Sequence, residues 1–361
     1  MWQRAYGGFS QFVSIVLGGP KVIQATDGGF AVATSTNVTL RTAAAWIFKV
    51  DANGGLVWQR AFTGIGNATA SSIILAPDGG FSVFGSTSDK AGSIKAFALK
   101  LDANGGPEWE RIYTGQGTIT AVFSASRTSE GGSIASGWTG TVNLDAWLLK
   151  LDANGGIAWQ KTYAGTIAIL SVQQTSDGGF VGTGANTVLR FDSTGSLIWQ
   201  KNIEGAATRA VFFSVQQTPD GGFALTGFSG TYPSPRVSLI VRLDSLGSIV
   251  WQENFAAGVE SQAIFINLTS NEGLAVAGFD FSTASISNAW VLKLDARGVI
   301  PHCAPLSSSS LVTTEASSSL TTITGSSSDI NTSLITTTFE PTITAAGLLT
   351  LCQHGSRSSS H

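Results

Sequence analysis

Three short sequence blocks recur six times in a fixed order, and this repeat constrains the fold more than any other feature of the chain. The first block is a turn of the type Asp27-Gly-Gly-Phe30, and the second is a strand and turn of the type Phe48-Lys-Val-Asp-Ala-Asn-Gly54. The third is a tryptophan followed by Gln or Glu, and its copies lie 40 to 56 residues apart. A period of this length, built from short segments, predicts the blades of a β-propeller.

Each repeat is predicted to form four strands, which we label A to D in chain order. β-branched and aromatic residues fill segments such as Phe180–Gly184 and 157–163, and glycine-rich turns bound them. The Asp-Gly-Gly turn joins strand A to strand B, and Asp-Ala-Asn-Gly-Gly joins strand C to strand D. Both turns supply glycine where a tight hairpin requires a positive φ. We expect almost no helix.

The ring is predicted to close through the N-terminal strand. Trp2 belongs to a D strand that precedes the first A–B–C set, whereas the last set ends near Asp295 and has no tryptophan-bearing D strand after it. Pairing these two segments would leave no exposed sheet edge. We therefore predict an all-β, six-bladed propeller of four-stranded blades over residues 1–300, with the N-terminal strand completing the last blade. A Ser/Thr-rich, β-prone tail follows over residues 301–352, and residues 353–361 look like a linker and tag remnant.

The repeat resembles that of secreted bacterial and archaeal β-propeller proteins. The likeness rests on the Asp-Gly-Gly-Phe turn and on the block Lys-Leu-Asp-Ala-Asn-Gly-Gly-x-x-Trp, and it covers residues 2–300. The second block is also similar to the tryptophan-docking motif of quinoprotein-type propellers, in which the tryptophan packs between adjacent blades. This resemblance implies a structural role for the repeated tryptophans, which are Trp2, Trp58, Trp109, Trp159, Trp199 and Trp251. It does not extend to quinone chemistry, because dedicated cofactor ligands are not found here, and we predict no cofactor.

Reactive side chains are scarce in the repeats, which disfavours catalysis. All three histidines and both cysteines lie beyond the last repeat, so the repeats offer no histidine as a base or metal ligand and no cysteine nucleophile. Asp51-x-Asn53-Gly54 resembles the start of a calcium loop, but Phe62 stands where the twelfth ligand would be. We interpret this motif as an Asx-capped turn. The sequence therefore predicts no metal site and favours a protein that is not an enzyme.

Charge and hydropathy narrow the range of partners. The net charge is −3, and the chain contains no run of Lys or Arg that could contact nucleic acid or an anionic membrane. No apolar run approaches the ~18 residues that a transmembrane helix needs. We predict no nucleic-acid partner and no transmembrane segment.

Variable loops at one end of the blades are predicted to bind a partner. In a four-stranded blade the A–B and C–D turns lie at one end, and the B–C and D–A connections lie at the other. The residues that occur in a single repeat fall mostly in the second group, and loops on a rigid scaffold often carry function. Exposed Tyr, Trp and Arg are favoured in binding sites. The candidate binding residues are Arg41, Asp89, Trp138, Arg209, Tyr232 and Arg236.

The segment after the repeats has a different composition, rich in Ser and Thr. Two interpretations stay open: a flexible stalk, or strands that pack on the propeller or on a neighbouring molecule. Cys303 and Cys352 bracket the segment and predict a disulfide, which would fit an exported protein. We also expect that an export signal preceded Met1 in the native protein.

Together these features predict a secreted or cell-surface binding or structural module, with the tail used for attachment or assembly. The expected partner is a protein or glycan at the cell surface. Three alternatives remain: a carbohydrate-binding propeller, a filament or surface-layer subunit that self-associates through the tail, and a hydrolase or lyase with a carboxylate site at the mouth of the channel.

The predicted disulfide can be tested by peptide mapping. Without reductant, the peptides that contain Cys303 and Cys352 should be recovered as one linked species that separates on reduction. Closing a loop of this size should stabilise the fold by about 2–4 kcal/mol, so Cys303→Ser should lower the free energy of unfolding by a similar amount. Recovery of both cysteines as free thiols from oxidised protein would contradict the prediction.

Overall fold

The computed structural model describes residues 5–6, 20–39, 42–166, 168–205, 208–230, 235–255, 260–283 and 286–299, together with five short strands after residue 300. These residues form β-strands joined by turns, and no helix occurs among them. In this part of the chain there is accordingly no helix with the length and hydropathy to cross a membrane.

The strands follow the predicted repeat. They fall into six consecutive sets, of which the first five have four strands and the sixth has three. The first three sets are β2 (Lys21–Gln24), β3 (Phe30–Thr39), β4 (Thr42–Val50), β5 (Leu56–Phe62); β6 (Asn67–Leu75), β7 (Phe81–Ser88), β8 (Ile94–Leu101), β9 (Pro107–Tyr113); and β10 (Ile119–Arg127), β11 (Ser133–Gly140), β12 (Leu144–Leu151), β13 (Ile157–Ala164). The remaining sets are β14 (Ser171–Gln174), β15 (Phe180–Gly184), β16 (Thr187–Phe191), β17 (Leu197–Gly205); β18 (Thr208–Gln217), β19 (Phe223–Ser229), β20 (Val237–Leu243), β21 (Ile249–Phe255); and β22 (Glu260–Leu268), β23 (Leu274–Thr283), β24 (Ile286–Leu294).

The turn between strands C and D is closed by its own aspartate. In the first repeat, Asp51 Oδ1 accepts hydrogen bonds from the backbone N–H groups of Asn53 and Gly55, both at 2.8 Å. The aspartates that make the same two contacts in the other repeats are Asp102, Asp152, Asp192, Asp244 and Asp295. These are the Asx turns that the sequence predicts.

Each described D-strand tryptophan packs on the glycine of the next C–D turn. A Cβ atom added to Gly105 would lie 2.7 Å from the Trp58 ring, and Trp58 Nε1 donates a hydrogen bond to the Ala103 carbonyl at 3.2 Å. The other pairs in contact are Trp109 with Gly155, Trp159 with Gly195, Trp199 with Gly247, and Trp251 with Gly298. These five glycines have φ between +76° and +83°. Both the backbone conformation and the space beneath the indole therefore require glycine.

The chain divides into two compact units, which we describe separately. One comprises residues 1–182, 190–198 and 317–345 and contains the first three strand sets. Its core includes Phe62, Phe81 and Phe97, with a second cluster around the fully buried Trp147. The other comprises residues 183–189, 199–316 and 346–361.

This second unit contains the fifth and sixth strand sets. Its core includes Ile240, Val276 and Trp290. The fourth strand set and the C-terminal segment contribute residues to both units.

Four strands of the Ser/Thr-rich tail pair with the D strands of four repeats. They are β25 (Ser307–Ser308) on β21, β26 (Val312–Glu315) on β17, β27 (Ser319–Thr322) on β13, and β28 (Ser327–Asp329) on β9, all antiparallel. For these segments the structure supports paired strands and not a flexible stalk.

The register of this pairing advances by a constant step. The residue three places after each D-strand tryptophan meets tail residue 307, 314, 321 or 328, so the tail moves seven residues per repeat. The four pairs are Asn254 with Ser307, Asn202 with Thr314, Thr162 with Thr321, and Ile112 with Ser328. Because these pairs use the outward edge of each D strand, the tail covers edges that would otherwise be open to strand addition.

The opening strand β1 (Ala5–Tyr6) obeys the same rule. Ala5 lies three residues after Trp2 and pairs with Thr342 of β29 (Pro341–Thr342). Thr342 is fourteen residues, or two steps of seven, beyond Ser328. The pairing of the opening strand with the tail therefore continues the register of the D strands.

The partner predicted for this D strand is not found among the described residues. There, the sixth set is a three-stranded sheet with β24 at its edge, and Ala5–Tyr6 pair with Pro341–Thr342. Trp2 itself lies outside the described residues. Completion of the last blade by Trp2 and the count of six blades therefore stay predictions.

The paired tail predicts how its removal changes self-association. Deletion of residues 304–352 uncovers the outer edges of β9, β13, β17 and β21, so the shortened protein should form larger species, measured by size-exclusion chromatography with light scattering. Deletion of residues 353–361 serves as the control and should leave the elution volume unchanged. If the full chain assembles and the shortened chain is a monomer, the tail joins molecules instead of covering its own edges.

Candidate ligand-binding cleft

In five of the six repeats, an acidic side chain of the A–B turn pairs with a cation on strand C. Lys49 Nζ lies 2.6 Å from Asp27 Oδ2, and the hydrogen bond from Lys49 holds the pKa of Asp27 below its usual value. The other such pairs are Lys100 with Asp78, Lys150 with Glu130, Arg190 with Asp177, and Arg242 with Asp220. These ion pairs place the A–B turn beside the end of strand C and occupy the repeated carboxylates.

Two of the predicted binding residues have structural contacts of their own. Asp89 lies in the B–C loop of the second repeat, where its Oδ1 accepts hydrogen bonds from the N–H groups of Ala91 and Ser93 at 2.9 and 3.0 Å. Trp138 was expected in a loop, but it lies within β11 and meets Phe123 edge-on, with ring centroids 4.8 Å apart. Trp138 pairs with Ala121 of β10 and Ala146 of β12, so the ladder continues through the residue that was expected in a loop. Its Nε1 is buried and has no hydrogen-bond partner among the described residues.

The other predicted binding residues are spread along the fifth repeat or lie outside the described residues. Arg236 is exposed just before β20, and its guanidinium carbon lies 5.0 Å from the centre of the Phe228 ring. Arg209 was expected in a D–A link but lies in β18, opposite Glu204 of β17. Arg41, Tyr232, Trp2, Cys303 and Cys352 lie outside the described residues. The described members of the set are not brought together into one site.

A cleft of about 280 Å³ lies between the turns of the fifth and sixth repeats, within the second unit. The fifth repeat supplies Asp220 from its A–B turn and Trp251 from its D strand. The sixth repeat supplies Glu272 from its A–B turn and Arg297 from its C–D turn. The cleft therefore lies at the end of the regular turns, opposite the loops that were expected to bind.

Glu272 breaks the repeat at a strained position. It has φ +63°, whereas the equivalent residue in the other five repeats is a glycine with φ between +81° and +85°: Gly28, Gly79, Gly131, Gly178 and Gly221. Its backbone makes the same turn, since Glu272 N–H donates to the Thr269 carbonyl at 3.1 Å. A non-glycine residue in this region costs about 1–2 kcal/mol. Such strain is commonly retained where a side chain has a task.

Arg297 is the second departure from the repeat. Its equivalents are Asn53, Asn104, Asn154, Thr194 and Leu246. The side chain is 89% exposed, and its Nε lies 3.8 Å from Asp295 Oδ2, a loose contact. The guanidinium is therefore available to a ligand, unlike that of Arg242, which is buried and bonded to Asp220.

The tryptophan of the cleft has a different neighbour from that of three equivalent tryptophans. Trp58, Trp159 and Trp199 each lie 5.8 to 5.9 Å from a phenylalanine at the start of the next B strand. Leu274 stands at this position after Trp251. Leu274 belongs to the buried cluster against which Trp251 packs, and the indole is half-buried, with Gly298 as another neighbour.

Sequence reasoning missed this site although its signal was present. In the sequence, Asn271-Glu-Gly-Leu274 is a weaker copy of the A–B turn, and the block with Arg297 is a weaker copy of the C–D turn. Both departures fall in the same repeat. The structure brings both residues into one cleft with Trp251 and Asp220 of the preceding repeat.

Comparison with known proteins supports the fold. No family model and no curated protein matches the sequence. A solved protein of unknown function from Dyadobacter fermentans is similar, with a TM-score of 0.52 and 11% identity over 81% of this chain and 97% of that one. The chain is an all-β protein of the propeller type. The likeness shows a shared fold and nothing about activity.

Two further solved structures are more distant. One is a protein of unknown function from Bacteroides caccae, with a TM-score of 0.48 and 11% identity over 75% of this chain and 92% of that one. The other is the periplasmic gluconolactonase of Pseudomonas aeruginosa, with a TM-score of 0.40 and 10% identity over 81% and 98%.

The Arg242–Asp220 pair predicts a pH dependence of stability. Hydrogen bonds from Thr218 and the Gly222 N–H, with the charge of Arg242, hold the pKa of Asp220 below its ordinary value of 3.8. A carboxyl whose pKa is lower in the folded state stabilises the fold above its unfolded pKa, and this contribution is lost as pH falls through the folded pKa.

Asp220→Asn should therefore lower the free energy of unfolding by about 1–3 kcal/mol at pH 7, because a buried guanidinium loses a charged partner. The difference between the variant and the parent should shrink as the pH falls below 3.8. Denaturant titrations at several pH values measure it. A difference that stays constant down to pH 2 would show that the charge of Asp220 does not matter.

Proposed function

We propose that this protein is an extracellular or cell-surface binding module and that the cleft between its fifth and sixth repeats holds the ligand. The strained Glu272 carries the proposal. Five repeats keep glycine at this position, and the sixth places an exposed carboxylate there at a conformational cost. A rigid scaffold that presents a few repeat-specific side chains around an aromatic ring is the usual form of a small binding site.

The contacts of Asp220 make this residue a poor general acid. The pKa of Asp220 is lowered by its hydrogen bonds, so this carboxyl is ionised near neutral pH and is a poor proton donor. Among the described residues, no group of three or more His, Cys, Asp or Glu side chains is placed to hold a metal ion. The proposal of an external location rests on the Ser/Thr-rich tail and its bracketing cysteines.

One observation favours a second candidate, a glycoside hydrolase. Asp220 and Glu272 line the same cleft, and paired carboxylates flank the scissile bond in most enzymes of that class. Its mechanism requires one of the two to be protonated, and the contacts of Asp220 leave that role to Glu272. Release of reducing sugar from a bound glycan would favour this candidate over a binding module.

Restoring the repeat at the strained position should separate stability from binding. Glu272→Gly removes the left-handed strain, so it should raise the free energy of unfolding by up to about 1 kcal/mol. It should also abolish the ligand-induced rise in Tm that the parent protein shows in a thermal-shift screen of glycans, peptides and small metabolites. Loss of binding in a more stable protein cannot be attributed to misfolding.

Ala185→Gly provides the matched control. Ala185 is the other described non-glycine residue with positive φ, at +44°, and it lies in the turn between β15 and β16, outside the cleft. This variant should gain similar stability and keep the ligand-induced shift. Equal ligand shifts in Glu272→Gly and the parent would show that the cleft is not the binding site.

A further inference from the structure

The chemistry of the cleft restricts the class of ligand. Two carboxylates, Asp220 and Glu272, and two guanidinium groups, Arg242 and Arg297, line the cleft, so the formal charges of its lining residues balance. A balanced site attracts neither an anion nor a cation strongly by its net charge. It does offer several hydrogen-bond acceptors and donors at short range, which is the arrangement that a set of hydroxyl groups can satisfy.

The aromatic wall adds a second restriction. Trp251 is half-buried in the wall of the cleft, and 60% of its neighbour Val250 is exposed. An indole presents an apolar face beside polar groups, which suits a ligand with an apolar side and a polar rim. A sugar ring has both, since its C–H groups lie on its faces and its hydroxyl groups lie around its edge.

We propose that the cleft binds a neutral saccharide, with one sugar ring on Trp251 and its hydroxyl groups on Glu272 and Arg297. This inference rests on the proposed function and names its ligand class. The volume of about 280 Å³ lies just below the ~300–1,000 Å³ range of sites for drug-sized ligands, so one or two sugar rings fit, or the end of a longer glycan. Asp220 and Arg242 bind each other and form the fixed wall against which the sugar is oriented.

The test uses the full chain on an array that carries neutral glycans beside sialylated and sulfated ones, followed by calorimetry with the strongest neutral glycan. Neutral glycans should be retained and charged ones should not. Arg297→Asn restores the residue found in three other repeats and removes the exposed donor. It should weaken binding about tenfold or more, because hydrogen bonds to a charged group are lost. Ala185→Gly should bind as the parent does.

The possible results separate this inference from the proposal on which it rests. Preference for sialylated or sulfated glycans, or equal affinity in Arg297→Asn and the parent, overturns the assignment of a neutral saccharide to this cleft. A peptide or metabolite that stabilises the parent but not Glu272→Gly also overturns it, while leaving the proposed binding function standing. If no ligand of any class binds, the proposed function fails as well.

Discussion

The contact between each D-strand tryptophan and the glycine of the following C–D turn is the interaction on which the repeat depends. The five described pairs share a left-handed glycine whose missing side chain makes room for the indole, as between Trp109 and Gly155. The tryptophan belongs to one repeat and the glycine to the next, so neither repeat buries its apolar surface alone. Stability in such an arrangement arises largely at the junctions between neighbours. The similar spacing of turn and tryptophan in successive repeats therefore reflects packing between repeats and says little about function.

The tail covers sheet edges that four-stranded repeats leave unpaired. Four-stranded sheets leave the outer edge of strand D unpaired, and exposed edges promote strand addition between molecules. Strands β25 to β28 occupy such edges in their own chain with a step of seven residues. Short strands of Ser and Thr are enough to cover these edges, because their attachment to the same chain keeps their effective concentration high. This role as an edge cover differs from assembly through the tail, and the two predict opposite effects of deleting it.

Residues that depart from the repeat at a conformational cost are the best candidates for a functional role. Asn271, Glu272, Leu274 and Arg297 all depart from the pattern in the sixth repeat, and three of them line one cleft. The left-handed Glu272 is less stable than the glycine it replaces, so the packing of the other repeats must offset it. By contrast, the predicted loop residues Asp89 and Trp138 are held by a turn and by an aromatic neighbour, respectively.

Local chemistry alone determined much of this fold. Glycines at positive φ, Asx turns and alternating β-prone segments act over a few residues, so the sequence predicted the strands, both repeated turns and the blocks to which the tryptophans belong. Counting blocks also assigned Ala5–Tyr6 to a D strand, and the pairing of these residues with the tail continues the register of the other D strands. The tail segments could be recognised as β-prone from the sequence. The strands with which they pair could not be predicted, because Ser and Thr have no preference for a particular sheet edge. The seven-residue step depends on the spacing of the D strands in the folded protein. The cleft depended on tertiary structure for the same reason. Asp220 and Arg297 are distant in sequence, and only the packing of the sixth repeat on Trp251 brings them to one site.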